Sequence, residues 1–254
     1  MTSRGTSGDR RRNVKLTVEY DGTGFSGWQR QGSRRTVQRC LEEALARVTG
    51  ERVSLTGAGR TDAGVHAEGQ VANFRTASEL PADRIVGGIN ANLDEDAAVL
   101  SAIDVPIDFH SNRDARTKVY RYTISTRPVR EVLQRRFVYW SRQRLDCRMM
   151  REAAGHLVGR HDFDSFRAEG FVEKDTVRTV EEITFDEDHD QIRIFFTGDG
   201  FLYMMVRIMV GTLIDVGRGH IEPDDIPAIM AARDRRAAGA TARPEGLCMV
   251  EVRY

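Results

Sequence analysis

The sequence has few cysteines, little lysine and no long apolar run. Cys40, Cys147 and Cys248 are odd in number and widely spaced, which argues against a disulfide framework and against a cysteine-based zinc site. The longest apolar runs, FLYMMV and IMVG, are separated by Arg207, and neither approaches the ~20 residues of a membrane-spanning helix. We therefore expect a protein of the cytoplasm.

The N-terminus also lacks an apolar stretch after its charges, so MTSRGTSGDRRRN does not resemble a secretory signal. We expect residues 1–12 to form a disordered tail. The three arginines at its end could add weak, salt-sensitive affinity for phosphates.

The chain has no excess of either charge, with 38 basic and 38 acidic residues. Lysine occurs only at positions 15, 118 and 174, so nearly all the basic residues are arginine, which suits phosphate binding and stacking on bases. A neutral chain can still concentrate positive charge on one face. Composition alone therefore does not exclude a nucleic-acid partner.

Hydrophobic periodicity predicts the same order of elements in both halves of the chain. The first half reads as a strand at 14–20, a helix from Thr36 to Gly50, strands at 52–56 and 70–75, a helix at 82–89 and a strand at 97–103. The second half reads as a strand at 119–125, a helix at 148–158, strands at 177–185 and 191–197, helices at 202–217 and 223–233, and a strand at 247–254.

This repetition predicts an α/β (α+β) fold of two split β-α-β modules, ferredoxin- or RRM-like, with mainly antiparallel mixed sheets. We expect an N-terminal domain at 13–112 and a C-terminal domain at 113–254. Sheets of this type commonly present one open face to RNA.

The segment GAGRTDAGVHA, residues 57–67, carries Arg60 and Asp62 among glycines and alanines. Its spacing fits neither a dinucleotide fingerprint nor a phosphate-binding P-loop. The two charges are either solvated loop residues or groups held against a ligand. The glycines let the backbone bend and approach a ligand closely, which suits a carboxylate that must reach a substrate atom.

The loop resembles the signature of the tRNA pseudouridine synthase A family, and seven further segments resemble that family in the same order. They are YDGTGFSGWQRQ, TVQRCLEEAL, NANLDEDAAV, KVYRY, HDFDSFR, FLYMMVRIMVG and PEGLCMVEV, so the resemblance runs from about residue 14 to the end. It implies the pseudouridine synthase fold and isomerisation of uridine at positions 38, 39 and 40 of the tRNA anticodon stem-loop. It also implies a homodimer that requires no cofactor or metal.

The resemblance also assigns roles to single residues. Asp62 matches the catalytic residue, Tyr120 the residue that packs on the target base, Arg207 the partner of the carboxylate, and Leu247 an apolar residue of the uracil pocket. Arg60 would fill the gap left by the flipped base or hold its phosphate. Whether Asp62 attacks the sugar, attacks the base or removes a sugar proton stays open.

Several residues also have structural interpretations. Tyr120 could also be a core residue of the sheet, because the apolar alternation along its strand is the same in either case. His66 could contact RNA or serve the scaffold. His161 and Asp162 resemble an acid–base or metal pair, but no further ligands follow at metal spacing, which favours a structural or RNA-contacting role. Core packing is predicted for Met204, Met205, Met209 and Leu213.

Two segments depart from the family pattern. Ser111 and Asn112 replace its usual alanine–arginine pair, and the middle of 169–180 is divergent, so local RNA contacts there are in doubt. Three rival functions are a synthase of the same family acting on other uridines, a non-catalytic RNA-binding or RNA-folding protein on the same scaffold, and a phosphate-binding hydrolase. The spacing of the glycine-rich loop disfavours the hydrolase.

Overall fold

The computed structural model describes residues 11–168, 170 and 175–254. Residues 1–10 of the predicted tail, and most of the divergent middle of 169–180, lie outside the described residues. The first strand already begins at Arg12. In this described part of the chain, no helix is both long enough and apolar enough to span a bilayer.

Strands and helices alternate much as the periodicity predicts. The elements are β1 (Arg12–Tyr20), α1 (Val37–Thr49), β2 (Thr56–Gly57), β3 (His66–Thr76), α2 (Ala82–Asn90), β4 (Ala97–Val105), β5 (Thr117–Ser125), β6 (Tyr139–Trp140), α3 (Cys147–Leu157), β7 (Gly159–Asp162), β8 (Val177–Asp188), β9 (Gln191–Gly198), α4 (Met205–Gly217), α5 (Ile226–Ala232) and β10 (Leu247–Arg253).

Two predicted strands have wrong bounds, and two short strands were missed. The strand expected at 52–56 is reduced to the two residues of β2. The strand β3 begins four residues before the predicted 70–75, because its first residues include the polar His66 and Glu68 and so lack apolar alternation. The short strands β6 and β7 were not predicted at all.

All ten strands join one sheet, in the order β4-β1-β3-β10-β5-β9-β8-β7, with β2 beside β3 and β6 beside β5. Pairing is antiparallel except between β3 and β10 and between β5 and β6. This confirms the predicted mixed α/β, mainly antiparallel fold. The expected boundary at 112/113 falls between β4 and β5, and the C-terminal strand β10 joins the two halves by pairing Cys248 with His66.

The helices form on local signals that the sequence carries. The side chain of Thr36 caps α1 by accepting a hydrogen bond from the Arg39 backbone N–H, and Gly50 ends the helix with a left-handed φ of 73°. The helix α4 is apolar on nearly all sides, and Met205, Met209 and Leu213 are fully buried as predicted. Met204 instead lies at the start of this helix, partly exposed to a cleft.

Candidate active site

A cleft of about 800 Å³ opens where the two halves meet. It lies between the segment before α1, the loop that joins β2 to β3, and the start of α4. All five residues predicted for the site line this cleft, although they come from distant parts of the sequence: Arg60, Asp62, Tyr120, Arg207 and Leu247.

The loop before Asp62 is anchored to the N-terminal half. The Thr61 carbonyl accepts a hydrogen bond from the Trp28 backbone N–H at 3.0 Å. The Thr61 hydroxyl lies 2.8 Å from the Tyr20 hydroxyl. The Gln70 side chain donates to the carbonyl of Gly59 at 2.9 Å. These bonds satisfy the buried polar groups of the loop and fix the backbone next to the carboxylate.

Two glycines of this loop are required by their surroundings. A Cβ on Gly57 would lie 2.5 Å from the ring of Trp28. Gly64 has a φ of +80°, and a Cβ there would lie 2.9 Å from Pro244. These positions account for two of the glycines that the sequence places around Arg60 and Asp62.

Asp62 and Arg207 form an ion pair in the cleft. Arg207 Nη1 lies 3.0 Å from Asp62 Oδ2, and the two side chains are 11% and 15% exposed. Arg207 Nε also donates to the Ala242 carbonyl at 2.8 Å, which fixes the plane of the guanidinium. Burial raises the pKa of Asp62 above its usual value, and the nearby Arg207 opposes that rise. The buried arginine thus has the anionic partner that its apolar helix requires.

Tyr120 lies on the inner face of β5 and is 7% exposed. Its ring meets Phe201 edge to face, with centroids 5.2 Å apart. Burial raises the pKa of Tyr120, so its hydroxyl is protonated at neutral pH. Leu247 opens β10 as a buried apolar residue beside Tyr120. The two side chains give the cleft an aromatic wall and an aliphatic wall.

The cleft lies on the face of the sheet that also carries the core. Tyr122 and Ile124, which follow Tyr120 on the same face of β5, are fully buried with residues of α1 and α4. The expectation of an open RNA-binding sheet face therefore does not describe this cleft. The site is instead a gap in the helical layer, closed at its base by β5 and β10.

Positive charge is concentrated along this cleft. Arg60 is exposed there, and its side chain makes no hydrogen bond or ion pair with any described residue. The only acids among the described lining residues are Asp62 and Asp199. The basic lining residues are Arg34, Arg60, Arg113, Lys118, Arg178 and Arg207. We call this site the basic cleft. Its positive charge is complementary to the negative charge of a polyanion.

Sequence reasoning missed Phe201 and Lys118 as lining residues. The alternation of β5 was a signal for Lys118, because it precedes Tyr120 by two residues and so shares its face. Asn112, one of the departures from the family pattern, also lines the cleft. Ser111, the other departure, is buried and donates to the Thr56 carbonyl at 2.5 Å, so its role is structural.

The remaining candidates lie away from the lining of the basic cleft. His161 Nε2 lies 2.9 Å from the Val158 carbonyl, and Asp162 pairs with Arg233 at 3.0 Å. His66 accepts from the Gly22 backbone N–H through Nδ1, which supports a scaffold role. In residues 11–168, 170 and 175–254, histidine, cysteine and carboxylate side chains form no group of three suited to a metal.

Comparison with known proteins agrees with this geometry. The family described as tRNA pseudouridine synthase matches residues 16–113 and 153–254. A tRNA pseudouridine synthase A of Pelobacter propionicus is 48% identical over 243 residues, which cover 96% of this chain and all of the relative. Relatives of the same name from Acetivibrio thermocellus and Geotalea uraniireducens are 46% and 45% identical over the same shares.

Proposed function

The chain belongs to the tRNA pseudouridine synthase family, whose members isomerise uridine in tRNA, and we propose that its targets are positions 38, 39 and 40 of the anticodon stem-loop. The proposal takes Asp62 as the catalytic residue and includes a cytoplasmic location and no requirement for a cofactor or metal. The observation that carries it is the Asp62–Arg207 pair, which lines the basic cleft together with Tyr120.

The chemistry explains why a buried carboxylate is needed. The reaction breaks the bond between the sugar and a base nitrogen, turns the base and rejoins it through carbon, so no atom is gained or lost. An Asp62 anion would attack the sugar, attack the base or remove a sugar proton, and these routes stay open. Each of them requires an ionised side chain in a site where burial favours the neutral acid. Arg207 supports the anion and orients it.

The other cleft residues suit extraction of the base. A stacked uridine must leave the RNA helix before its glycosidic bond is accessible, at a cost of a few kcal/mol. Stacking on an aromatic ring such as Tyr120 returns roughly 1–3 kcal/mol. Leu247 provides an apolar contact for the flipped base. Arg60, which is exposed and lines the cleft, would fill the gap in the RNA or bind the phosphate.

The test is single-nucleotide mapping of pseudouridine in unmodified tRNA transcripts after incubation with the protein. We expect marks at positions 38 to 40 with the wild type and none with Asp62→Asn. The matched control is Asp199→Asn, which removes the other acid of the cleft and should keep the activity within about tenfold. Marks elsewhere would change the substrate position. Binding without any mark from the wild type would leave a non-catalytic RNA-binding protein.

We also propose that two copies associate through the segment between β5 and β6. Its side chains are unusually exposed for apolar residues, with Leu133 at 91% and Val129 at 69%. Arginines at 130, 135 and 136 accompany them. A carboxylate-lined cavity next to Phe137 would complement Arg130 and Arg135 of a second copy, whereas Arg136 lies 3.9 Å from Asp21 of its own chain.

Sedimentation velocity tests this association. We expect a dimer for the wild type and a monomer for Leu133→Asp, because the charge would have to be buried in the contact. The control is Leu100→Asp, which changes an apolar residue that is 51% exposed on β4. A monomeric wild type would overturn the proposal.

A further inference from the structure

Lys118 is a buried cation that has no role in the proposed reaction. The residue is 9% exposed and lines the basic cleft at the start of β5. Its ammonium donates to the side-chain oxygen of Asn112 at 3.0 Å, and that oxygen carries no charge. Among the described residues, no carboxylate lies within ion-pair distance of the ammonium. The contact therefore orients the charge and does not neutralise it.

The environment of Lys118 disfavours its charged form in the protein without RNA. Burial, together with repulsion from Arg178, lowers the pKa of Lys118, while attraction to Asp199 partly offsets both effects. Arg178 and Asp199 both line the cleft that Lys118 lines. A buried cation without a contacting anion is unfavourable unless a ligand supplies the anion.

The position of Lys118 relates it to the reacting base. Lys118 and Tyr120 are two residues apart on β5 and therefore project from the same face. Both flank Gly59 of the catalytic loop. A Cβ added there would lie 3.5 Å from the Tyr120 hydroxyl and 3.9 Å from Cδ of Lys118. The Lys118 side chain and the Tyr120 hydroxyl thus lie against the same residue of the catalytic loop.

We propose that Lys118 binds a backbone phosphate of the RNA adjacent to the uridine that stacks on Tyr120, with Asn112 orienting the ammonium. This rests on the proposed function in taking RNA as the ligand and Tyr120 as the ring on which the uridine stacks. A phosphodiester carries one negative charge and several acceptor oxygens, which suits the compact charge of a lysine. Binding would neutralise the buried cation and fix the sugar next to the target base.

The first measurement is the salt dependence of tRNA binding by the full chain. We expect Lys118→Met to weaken binding about tenfold to a hundredfold, as for the loss of a hydrogen bond to a charged group. The slope of log affinity against log salt should fall by about 0.7 to 0.9, the value for one phosphate. Lys118→Arg should keep the wild-type slope.

The control is Lys15→Met, which removes the same charge from a residue outside the basic cleft. Lys15 lies over the ring of Tyr254 at 5.3 Å, so its removal should leave the slope unchanged. Lys118→Met should also fold, because replacing an unpaired buried charge by an apolar side chain is neutral or stabilising. Lys118→Gln provides a second neutral variant should methionine disturb the packing.

A second measurement identifies the phosphate. Short RNAs that contain the mapped target uridine carry one uncharged methylphosphonate, placed on either side of that uridine in turn. At one of the two positions the substitution should weaken wild-type binding about tenfold or more and leave the binding by Lys118→Met unchanged. A structural role for Lys118 would give equal losses for both proteins.

The outcomes separate this inference from the proposed function. A wild type that makes no pseudouridine but shows the Lys118-dependent slope would sink the enzyme proposal and keep the phosphate site. The opposite outcome is a wild type that makes pseudouridine but has the same salt slope and the same response to methylphosphonate as Lys118→Met. That outcome would overturn the phosphate site and keep the enzyme proposal.

Discussion

Two cavities of opposite charge lie back to back on the central strands. The basic cleft holds Tyr120 and Leu247, whereas the next residues along β5 and β10, Arg121 and Cys248, line a second cavity of about 360 Å³. Successive residues of a strand point to opposite faces, so β5 and β10 supply residues to both cavities. We call the second one the acidic cavity, after its carboxylates Glu19, Asp21, Glu68, Glu95 and Asp96.

The difference explains how a chain of zero net charge can bind a polyanion. The carboxylates of the acidic cavity are partly paired, with Glu68 2.6 Å from Arg121 and Asp96 2.7 Å from Arg35. The basic cleft holds fewer carboxylates, and its exposed Arg60 has no partner among the described residues. An RNA approaching the protein would be attracted to one face and repelled by the other.

The largest effect is expected at the Asp62–Arg207 ion pair of the basic cleft. Arg207→Gln leaves Asp62 buried without its cation, so the pKa of Asp62 should rise further. At neutral pH less carboxylate would be ionised, and turnover should fall roughly 10²- to 10³-fold. Because a raised pKa requires a higher pH for ionisation, the acidic limb of the pH–rate profile should move to higher pH.

Single-turnover rates measured from about pH 5.5 to 9 test this shift. The control is Arg34→Gln, which removes a cation of the same cleft without touching Asp62 and should leave the acidic limb in place. An unshifted profile for Arg207→Gln would mean that Arg207 does not set the ionisation of Asp62.

A charge exchange between the two faces should affect tRNA binding differently on each face. Arg34→Glu places an acid in the basic cleft and should weaken tRNA binding about tenfold at low salt, with a smaller salt slope. Glu95→Arg makes the opposite change in the acidic cavity and should leave binding unchanged or slightly stronger. Fluorescence anisotropy across a salt series measures both. Equal losses from the two variants would mean that RNA contacts both faces.

The basic cleft could be predicted from the sequence better than the acidic cavity. The glycine-rich loop, the strand with Tyr120 and the apolar helix interrupted by Arg207 each carry a local pattern, and family resemblance relates them. The acidic cavity has no such pattern. Its residues come together through the pairing of β1 with β3 and β4 and through the parallel pairing of β3 with β10, which joins positions about 180 residues apart, such as His66 and Cys248.

Hydrophobic periodicity did not predict the shortest strands or the contacts that depend on how the chain turns between elements. The strands β2 and β6 contain two residues each, which is too few to show alternation. The contact between Lys118 and Asn112 depends on where the segment before β5 turns, and composition does not report this. The face of the sheet that carries the site follows from the packing of α4, not from the strand pattern.

The aromatic wall of the basic cleft should tolerate one change and not another. Tyr120→Phe keeps the ring and should retain activity within about threefold, because the buried hydroxyl is not ionised at neutral pH. Tyr120→Leu removes the stacking surface, worth roughly 1–3 kcal/mol per base, and should lower the rate about ten- to a hundredfold. Single-turnover rates with saturating tRNA, measured for both variants and the wild type, test this difference. A large loss in Tyr120→Phe would assign the hydroxyl a chemical role.

The smallest effect is expected from His66, where burial and the field of the acidic cavity act in opposite directions. Its Nδ1 accepts the Gly22 backbone N–H, which requires that nitrogen to be unprotonated. Burial lowers the pKa of His66, although Asp21 at 3.2 Å favours the charged form. Below the usual histidine pKa of about 6.5 the unfolded chain therefore binds a proton that the folded chain resists. The His66 contribution to stability should fall as the pH drops through that value.

The comparison of wild type with His66→Gln isolates this contribution, because the other titrating groups are common to both proteins. Urea unfolding at a series of pH values from about 7.5 to 5 gives the free energy of unfolding of each. The difference in the free energy of unfolding between wild type and His66→Gln should shrink toward lower pH. It should become constant once the pH is below the pKa of His66 in the folded protein. A difference that grows on acidification would mean that His66 is charged in the folded protein. The carboxylates of the acidic cavity would then outweigh burial, and the cavity would be a site that attracts cations.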